Sequence, residues 1–155
     1  MLEAISPIDG RYSKQTESLQ NYFSEKALIK YRIKVEVLYF NALCRLNLLQ
    51  FSTISLDSLN ELTEWIQNIE DTEIQSVKDI EKTTNHDVKA VEYIVKAKMK
   101  SLGLEKYEEF IHFGLTSQDI NNTAFPMMVQ DALKNIMYPE FFQLTNKLQE
   151  LVNEW

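Results

Sequence analysis

Apolar residues recur at intervals of three and four along most of the chain, which is the spacing of one face of an α-helix. The segment after Ser24 carries two such stripes, so we predict that it is the longest helix, that Ser24 caps it, and that it is buried on more than one side. The stripes are Leu28, Tyr31, Val35, Leu38, Ala42 and Leu49 on one face and Ile29, Ile33, Val37 and Phe40 on another. Similar spacing predicts helices through residues 59–69 and 72–82.

Turn-forming residues mark the ends of the predicted helices. Residues 6–12, SPIDGRY, have the order of a tight turn, and Gly103 is expected to end a helix that starts near residue 85. Pro126 and Pro139 are expected to kink or restart the helices in which they lie. With only 3 Gly and 3 Pro in the chain, the balance favours helices with short connections, and the predicted fold class is all-α.

The last segment has an apolar stripe that continues to the final residue. Its members are Phe141, Leu144, Leu148, Leu151 and Trp155, with Val152 beside them. An unpaired stripe of this kind requires a partner helix. We therefore expect this sequence to be the front part of a longer chain.

Composition narrows the class of protein. A chain of 155 residues with 45% hydrophobic and 25% charged residues is typical of a soluble globular domain. No secretory signal or membrane span is recognisable, so we expect a cytoplasmic protein. The single cysteine, Cys44, lies in an apolar helical pattern and is interpreted as a small core residue. The net charge of −7 argues against nucleic-acid and membrane binding.

The stretch TTNHDVKAVEY, residues 83–93, places His86 between two polar residues at the predicted start of a helix. Asn85 is the predicted N-cap, Thr84 is a second candidate, and Asp87 favours a helix N-terminus. The backbone N–H groups at such an end form an anion site. Capping alone also explains these residue types.

Two further stretches carry candidate chemistry. Thr116 and Asp119, in TSQDINN, have the spacing of a capping box and predict a second helix N-terminus. Arg11 and Tyr12 leave the first turn together, and a guanidinium with a phenol can hold a phosphate. The alternatives are a well-capped helix in the first case and a surface arginine beside a half-buried tyrosine in the second.

The three stretches SPIDGRY, TTNHDVKAVEY and FIHFGLTSQDINN, in this order, closely resemble the N-terminal part of the bacterial adenylosuccinate lyase family, within the fumarase/aspartase superfamily. The resemblance covers residues 4–140. It implies an N-terminal helical domain over residues 1–115, followed over residues 116–155 by the beginning of a central helical bundle that is truncated here.

The resemblance also implies an activity. The family is a carbon–nitrogen lyase of purine biosynthesis, which eliminates fumarate from adenylosuccinate, giving AMP, and from succinylaminoimidazole carboxamide ribotide. It uses no cofactor and no metal, and it assembles as a homotetramer. Its principal acid and base, a histidine and a serine, belong to segments whose motifs do not occur in this chain. We therefore expect the isolated chain to be inactive.

Position by position, the resemblance assigns substrate-contacting roles to seven residues. Arg11 and Tyr12 match the pair that holds the nucleotide phosphate, and Thr116 and Ser117 match the pair that grips the succinyl carboxylate. His86 belongs to a triplet that lines the substrate and has an auxiliary role in proton transfer. The full set is Arg11, Tyr12, Asn85, His86, Asp87, Thr116 and Ser117. Such groups suit an elimination, because negative charge develops on a carboxylate and fixed donors stabilise it.

Several interpretations stay open beside this one. Another lyase of the superfamily, such as argininosuccinate lyase or a fumarase, would share TSQDINN but would not need Arg11 and Tyr12. A non-catalytic helical module could instead dock through the stripe of residues 141–155. His112, beside the third stretch, is interpreted as a packing or hydrogen-bonding histidine. Asp87 and Asp119 are expected to orient their neighbours.

Overall fold

The computed structural model describes residues 3–46 and 48–155, and every regular element in this part of the chain is helical. The α-helices are α1 (Gln20–Phe23), α2 (Glu25–Cys44), α3 (Leu56–Trp65), α4 (Asp71–Thr84), α5 (Asp87–Ser101), α6 (Ser117–Ala132) and α7 (Tyr138–Glu154). Short 3-10 helices cover Glu17–Leu19, Leu49–Phe51 and Glu105–Phe110, and a π-helical turn covers Leu133–Met137. The predicted all-α class is confirmed.

The chain forms two compact units. One comprises residues 28–125, and the other comprises the residues up to 27 together with residues 126–155. The bounds of these units differ from the predicted domains, which cover residues 1–115 and 116–155. Those domains were inferred from the resemblance to a family, and their bounds stay a prediction.

Helix α2 supplies the central face of the 28–125 unit. Ile29, Ile33, Val37 and Phe40, at spacings of four, four and three, are all buried in one core cluster. The Ser24 hydroxyl accepts the Ala27 N–H at 3.1 Å, so the predicted cap is confirmed.

The rest of this core comes from the other helices of the unit, chiefly through Phe51, Leu62, Trp65, Ile74, Val77, Val91, Val95, Met99, Leu104, Tyr107 and Ile111. The other predicted stripe of α2 is less buried, since Leu38 is exposed. The helix ends at Cys44, and the prediction that Leu49 extends the stripe is wrong, because Leu49 lies in a 3-10 helix and is exposed.

Aromatic contacts hold the 3-10 helix Glu105–Phe110 against this core. The ring of Phe51 lies edge-on to Phe110 at 4.7 Å and to Phe40 at 6.1 Å between centroids. The Tyr107 hydroxyl contacts the Thr53 hydroxyl at 3.0 Å. These contacts fix the segment that leads into α6.

Glycine follows the end of α5 as the sequence predicts, and a second glycine of this unit lies in the turn before α6. Gly103 has φ +70° and Gly114 has φ +71°, which are left-handed values that favour glycine. The Leu104 N–H returns to the Met99 carbonyl at 2.8 Å, which closes the end of α5. Gly103 therefore stops the helix at the expected position.

In the other unit, the predicted turn at residues 6–12 is present. The Gly10 N–H reaches the Ser6 carbonyl at 3.1 Å, and the Tyr12 N–H reaches the Pro7 carbonyl at 2.9 Å. The Asp9 carboxylate accepts both the side-chain and the backbone donors of Ser6, which lower the pKa of Asp9. The turn is thus closed by its own polar residues.

The apolar stripe of the last segment lies on α7 and at Trp155 directly after it, and most of its side chains are exposed. Phe141, Leu144, Leu148 and Val152 each expose more than half of their surface, and Trp155 is 97% exposed. Pro139 lies in the first turn of α7, where no intrahelical partner is required for the missing N–H.

Helix α6 contains Pro126 and continues past it, so the helix does not restart there. None of the helices in the described part of the chain combines the length and the apolarity that a bilayer span requires.

The core predicts a contrast within one helix. Leu62 is fully buried whereas Leu56, also on α3, is 73% exposed. We expect Leu62→Ala to lower the free energy of unfolding by about 2–5 kcal/mol because it leaves a cavity in a packed core. Leu56→Ala should change it by less than about 0.5 kcal/mol. Denaturant unfolding followed by circular dichroism measures both, and equal effects would contradict the assigned core.

Candidate functional site

The link between α4 and α5 consists of Asn85 and His86. Asn85 has φ +49°, and its N–H donates to the Glu81 carbonyl at 2.8 Å, so it caps the C-terminus of α4. Thr84 is the last residue of α4, and its hydroxyl donates to the Ile80 carbonyl at 3.1 Å. The prediction that Asn85 or Thr84 is the N-cap of the next helix is therefore wrong. Asparagine tolerates the left-handed region, which explains its use here.

His86 is the N-cap of α5. Its Nδ1 accepts the Lys89 N–H at 3.1 Å, and its backbone is extended with φ −151°. Because Nδ1 uses its lone pair in this bond, the proton of the neutral ring is on Nε2. Nε2 lies 3.4 Å from the Ser117 Oγ, a long hydrogen bond that joins the start of α5 to the start of α6. The His86 side chain remains half exposed.

The start of α6 is organised by Asp119. Its Oδ2 accepts the Thr116 N–H at 2.7 Å and the Thr116 hydroxyl at 2.8 Å. These two donors lower the pKa of Asp119, so the carboxylate is ionised at neutral pH. The predicted pairing of Thr116 with Asp119 is present, since Asp119 accepts both donors of Thr116. Ser117, the first residue of α6, is left to face His86.

Arg32, on α2, braces both helix N-termini. It is 4% exposed, its Nε donates to the Asn121 Oδ1 at 3.0 Å, and a terminal guanidinium nitrogen lies 2.8 Å from the Asp87 Oδ2. Asp87 is the first residue of α5, and Asn121 lies in the first turns of α6. A single buried guanidinium therefore fixes the two helix starts relative to α2.

Asp87 is ionised by this arrangement. Burial raises its pKa, but the Val88 N–H and the Arg32 guanidinium together lower it by more, so that it lies below the ordinary value of 3.8. The Oδ1 of Asp87 accepts the Val88 N–H at 2.8 Å. Both oxygens of Asp87 are thus bound to donors of the protein.

Glu36 lies one turn after Arg32 on α2 and is fully buried. Its carboxylate contacts the backbone and the ring of His112, which agrees with the interpretation of His112 as a hydrogen-bonding histidine. Burial raises the pKa of Glu36, the hydrogen bond and charge of His112 oppose that rise, and the nearby Glu92 adds to it. The net effect is a pKa above the ordinary 4.5.

The interpretation of the sequence did not identify Arg32 and Glu36 as residues of the site. Helix α2 is predicted to be buried on more than one side, but its charges give only a weak signal, because Lys26, Lys30 and Lys34 have the same four-residue spacing as Arg32 and Glu36. Charged groups in such a helix require partners. The spacing of Arg32 and Glu36 places both on one face of α2, and each has its own partners in the structure.

Arg11 and Tyr12 lie in the other unit. Both are exposed, and the guanidinium carbon of Arg11 is 5.3 Å from the centroid of the Tyr12 ring. The turn at residues 6–12 thus presents the two side chains together, as the sequence predicts.

The His86–Ser117 contact brings two helix N-termini together in a polar, partly exposed place. First-turn N–H groups lack intrahelical acceptors, and the helix dipoles favour negative charge there. The arrangement suits a carboxylate or phosphate ligand. Across residues 3–46 and 48–155, no three His, Cys, Asp or Glu side chains are grouped so that they could hold a metal ion.

Cys44 packs at the edge of the core, as expected. Burial raises the pKa of its thiol to about 11, so it is protonated at neutral pH and is no nucleophile.

The family comparison identifies the class of this chain. Residues 10–155 match the model of the family described as "Lyase". The chain belongs to this lyase family.

Individual proteins that are similar to this chain narrow the comparison to one kind of lyase. The chain is similar to adenylosuccinate lyase of Dictyostelium discoideum, with 45% identity over 99% of this chain and 34% of the relative. Adenylosuccinate lyase of Buchnera aphidicola is 39% identical over 97% of this chain and 34% of the relative. Adenylosuccinate lyase of Vibrio cholerae is 37% identical over 99% of this chain and 34% of the relative. The chain thus spans about a third of the length of these curated relatives and corresponds to their N-terminal portion.

The Arg32 brace predicts a pH effect. The depressed pKa of Asp87 gives stability that is present above its ordinary pKa of 3.8 and is lost as the pH falls through the folded-state pKa. Arg32→Met should raise the folded-state pKa of Asp87 towards its ordinary value, so that the loss of stability with falling pH that Asp87 causes becomes smaller. It should also cost about 1–3 kcal/mol of stability at neutral pH, because the Asn121 Oδ1 loses its donor.

Carboxyl ¹³C shifts measured against pH, together with denaturant unfolding, test this prediction. The control is Lys82→Met, since Lys82 pairs with Asp79 at 2.8 Å on the surface. An unchanged Asp87 titration in Arg32→Met would contradict the brace.

Proposed function

We propose that this chain supplies part of the active site of an adenylosuccinate lyase. The reaction is elimination of fumarate from adenylosuccinate, which gives AMP, and from succinylaminoimidazole carboxamide ribotide. The observation that carries the proposal is the meeting of His86 and Ser117 at the N-termini of α5 and α6. Relatives that bear the name adenylosuccinate lyase and match nearly the whole chain support it.

The succinyl carboxylate binds at the start of α6 in this proposal. Negative charge develops on that carboxylate when the adjacent carbon loses its proton, and preorganised donors stabilise it. Ser117 offers a hydroxyl, and the first turn of α6 offers N–H groups. Thr116 binds the carboxylate by exchanging its contacts with Asp119 for contacts with the substrate.

His86 acts as an auxiliary group. Its Nδ1 is occupied by the cap of α5, so its Nε2 is the atom that contacts substrate. Asn85 and Asp87 line the site on either side of it, and Asp87 is held by Arg32. The principal acid and base belong to parts of the full-length lyase that this chain does not contain.

Arg11 and Tyr12 hold the phosphate of the nucleotide in this proposal. A guanidinium binds two phosphate oxygens at once, and the phenol adds one donor. Such a pair distinguishes a nucleotide substrate from the substrates of argininosuccinate lyase or a fumarase. Calorimetric titration of the full-length lyase with AMP separates these possibilities, because a lyase of the other two types should not bind AMP.

We also infer that the full-length lyase is a cytoplasmic homotetramer. The exposed stripe of α7 supports assembly, since an apolar helix face of this length is normally covered. The same stripe favours a second candidate function, a helical interaction module without catalysis. The variants below distinguish the two, because a module does not depend on Ser117.

Substitution of Ser117 tests the site. We expect Ser117→Ala in the full-length lyase to lower kcat/KM about 10²-fold, because one donor to the developing charge is lost. Loss of adenylosuccinate absorbance in the ultraviolet measures the rate. Ser76→Ala is the matched control, since the Ser76 hydroxyl donates to the Thr72 carbonyl of the same helix at 2.9 Å. Equal activity of both variants would contradict the proposed role of Ser117.

The isolated chain should be catalytically silent, because it lacks the principal acid and base. Mixing the purified chain with adenylosuccinate and following the same absorbance measures this. Turnover above the uncatalysed background would show that the chemistry resides in the residues present here.

A further inference from the structure

The carboxylate of Glu36 is bound to one residue through two contacts. Its Oε2 accepts the His112 N–H at 3.1 Å, and its Oε1 lies 2.6 Å from the His112 Nδ1. The Glu36 side chain is 0% exposed, whereas that of His112 is 18% exposed. A buried carboxylate with two donors from one residue fixes both the backbone and the ring of that residue.

The backbone contact holds an unusual conformation. His112 has φ +60°, which is uncommon for a residue with a side chain. The Leu115 N–H donates to the His112 carbonyl at 3.2 Å, so the turn closes directly before Thr116. The Tyr39 hydroxyl, also from α2, donates to the Phe113 carbonyl at 2.8 Å. The position of Glu36 therefore determines where α6 begins.

The ring contact sets the protonation of His112. When Glu36 is ionised, its carboxylate only accepts hydrogen bonds, so the Nδ1 of His112 is then the donor of this contact. The short distance of 2.6 Å is typical of a charge-assisted bond. Attraction to His112 is the smallest of the effects that lower the pKa of Asp119, the carboxylate that accepts both donors of Thr116.

We propose that Glu36 is a positioning residue for the substrate site, which acts through His112 on the turn that delivers Thr116 and Ser117. This inference rests on the proposed function, since it assigns a purpose to the turn. The carboxylate touches no substrate. It holds the left-handed backbone of His112 and keeps the Nδ1 of the ring protonated, and thereby keeps the start of α6 against His86.

Glu36→Gln in the full-length lyase tests the proposal. The amide oxygen can still accept the His112 N–H, but the amide nitrogen is a donor and must face Nδ1. We expect the ring proton to move from Nδ1 to Nε2, because two donors cannot face each other. We expect kcat/KM to fall about 10- to 100-fold, because the turn shifts by a fraction of an ångström to an ångström.

Two measurements read these changes. Solid-state ¹⁵N spectra of the histidine-labelled lyase report which ring nitrogen of His112 is protonated, and His112→Asn assigns the signals. Steady-state kinetics give kcat and KM. A purely structural role for Glu36 would lower stability without moving the proton.

Glu92→Gln is the matched control. Glu92 is a second buried carboxylate of the same unit, 5% exposed, but it pairs with Lys89 at 2.8 Å and Lys96 at 3.2 Å. Its substitution removes a buried charge without touching His112. We expect the ring of His112 to keep its proton on Nδ1 and kcat/KM to stay near the wild-type value.

The outcomes separate this inference from the proposed function. If the wild type is active and Glu36→Gln keeps that activity, the role of Glu36 alone is overturned. The same holds if the Nδ1 of His112 is unprotonated in the active wild type. A wild type that does not act on adenylosuccinate overturns the proposed function together with this role. If Glu36→Gln does not fold, Glu36→Asp replaces it. This variant should keep Nδ1 protonated yet lower kcat/KM, and unchanged kinetics would overturn the proposal.

Discussion

The burial of two opposite charges on α2 constrains the rest of the 28–125 unit. Arg32 and Glu36 are drawn into the interior because Ile29, Ile33 and Val37 on the same helix must be covered. A charge in the interior requires fixed partners, and the partners of these two lie at the starts of α5 and α6 and in the turn between them. The geometry of the candidate site is thus a result of how the core packs.

Local signals in the sequence predicted most of the helices. The Ile and Val spacing of α2, the cap by Ser24 and the stop at Gly103 each depend on residues within a few positions of one another. The pairing of Thr116 with Asp119 has the same origin, since the two are three residues apart. Such features can be predicted from the sequence because they depend on neighbouring residues and not on the tertiary fold.

Other features depend on partners that are far apart in the chain. Glu36 and His112 are separated by 76 residues, and Arg32 and Asn121 by 89. No periodicity reports such a pair, so the sequence showed the residues but not their contacts. The prediction of the N-cap of α5 was wrong for a different reason. Asn85 suits both the end of one helix and the start of the next, and in the structure it ends α4.

The connection between α4 and α5 leaves the chain no spare length. Thr84 is the last residue of one helix, Asp87 is the first of the next, and the two residues between them serve as caps. An inserted or deleted residue in either flanking turn would rotate the helix beyond it by about 100° about its axis. We therefore expect insertions and deletions to be tolerated poorly at this connection and better in a longer one, such as the segment between α2 and α3. The number of residues between α4 and α5 thus sets the position of His86 in the site.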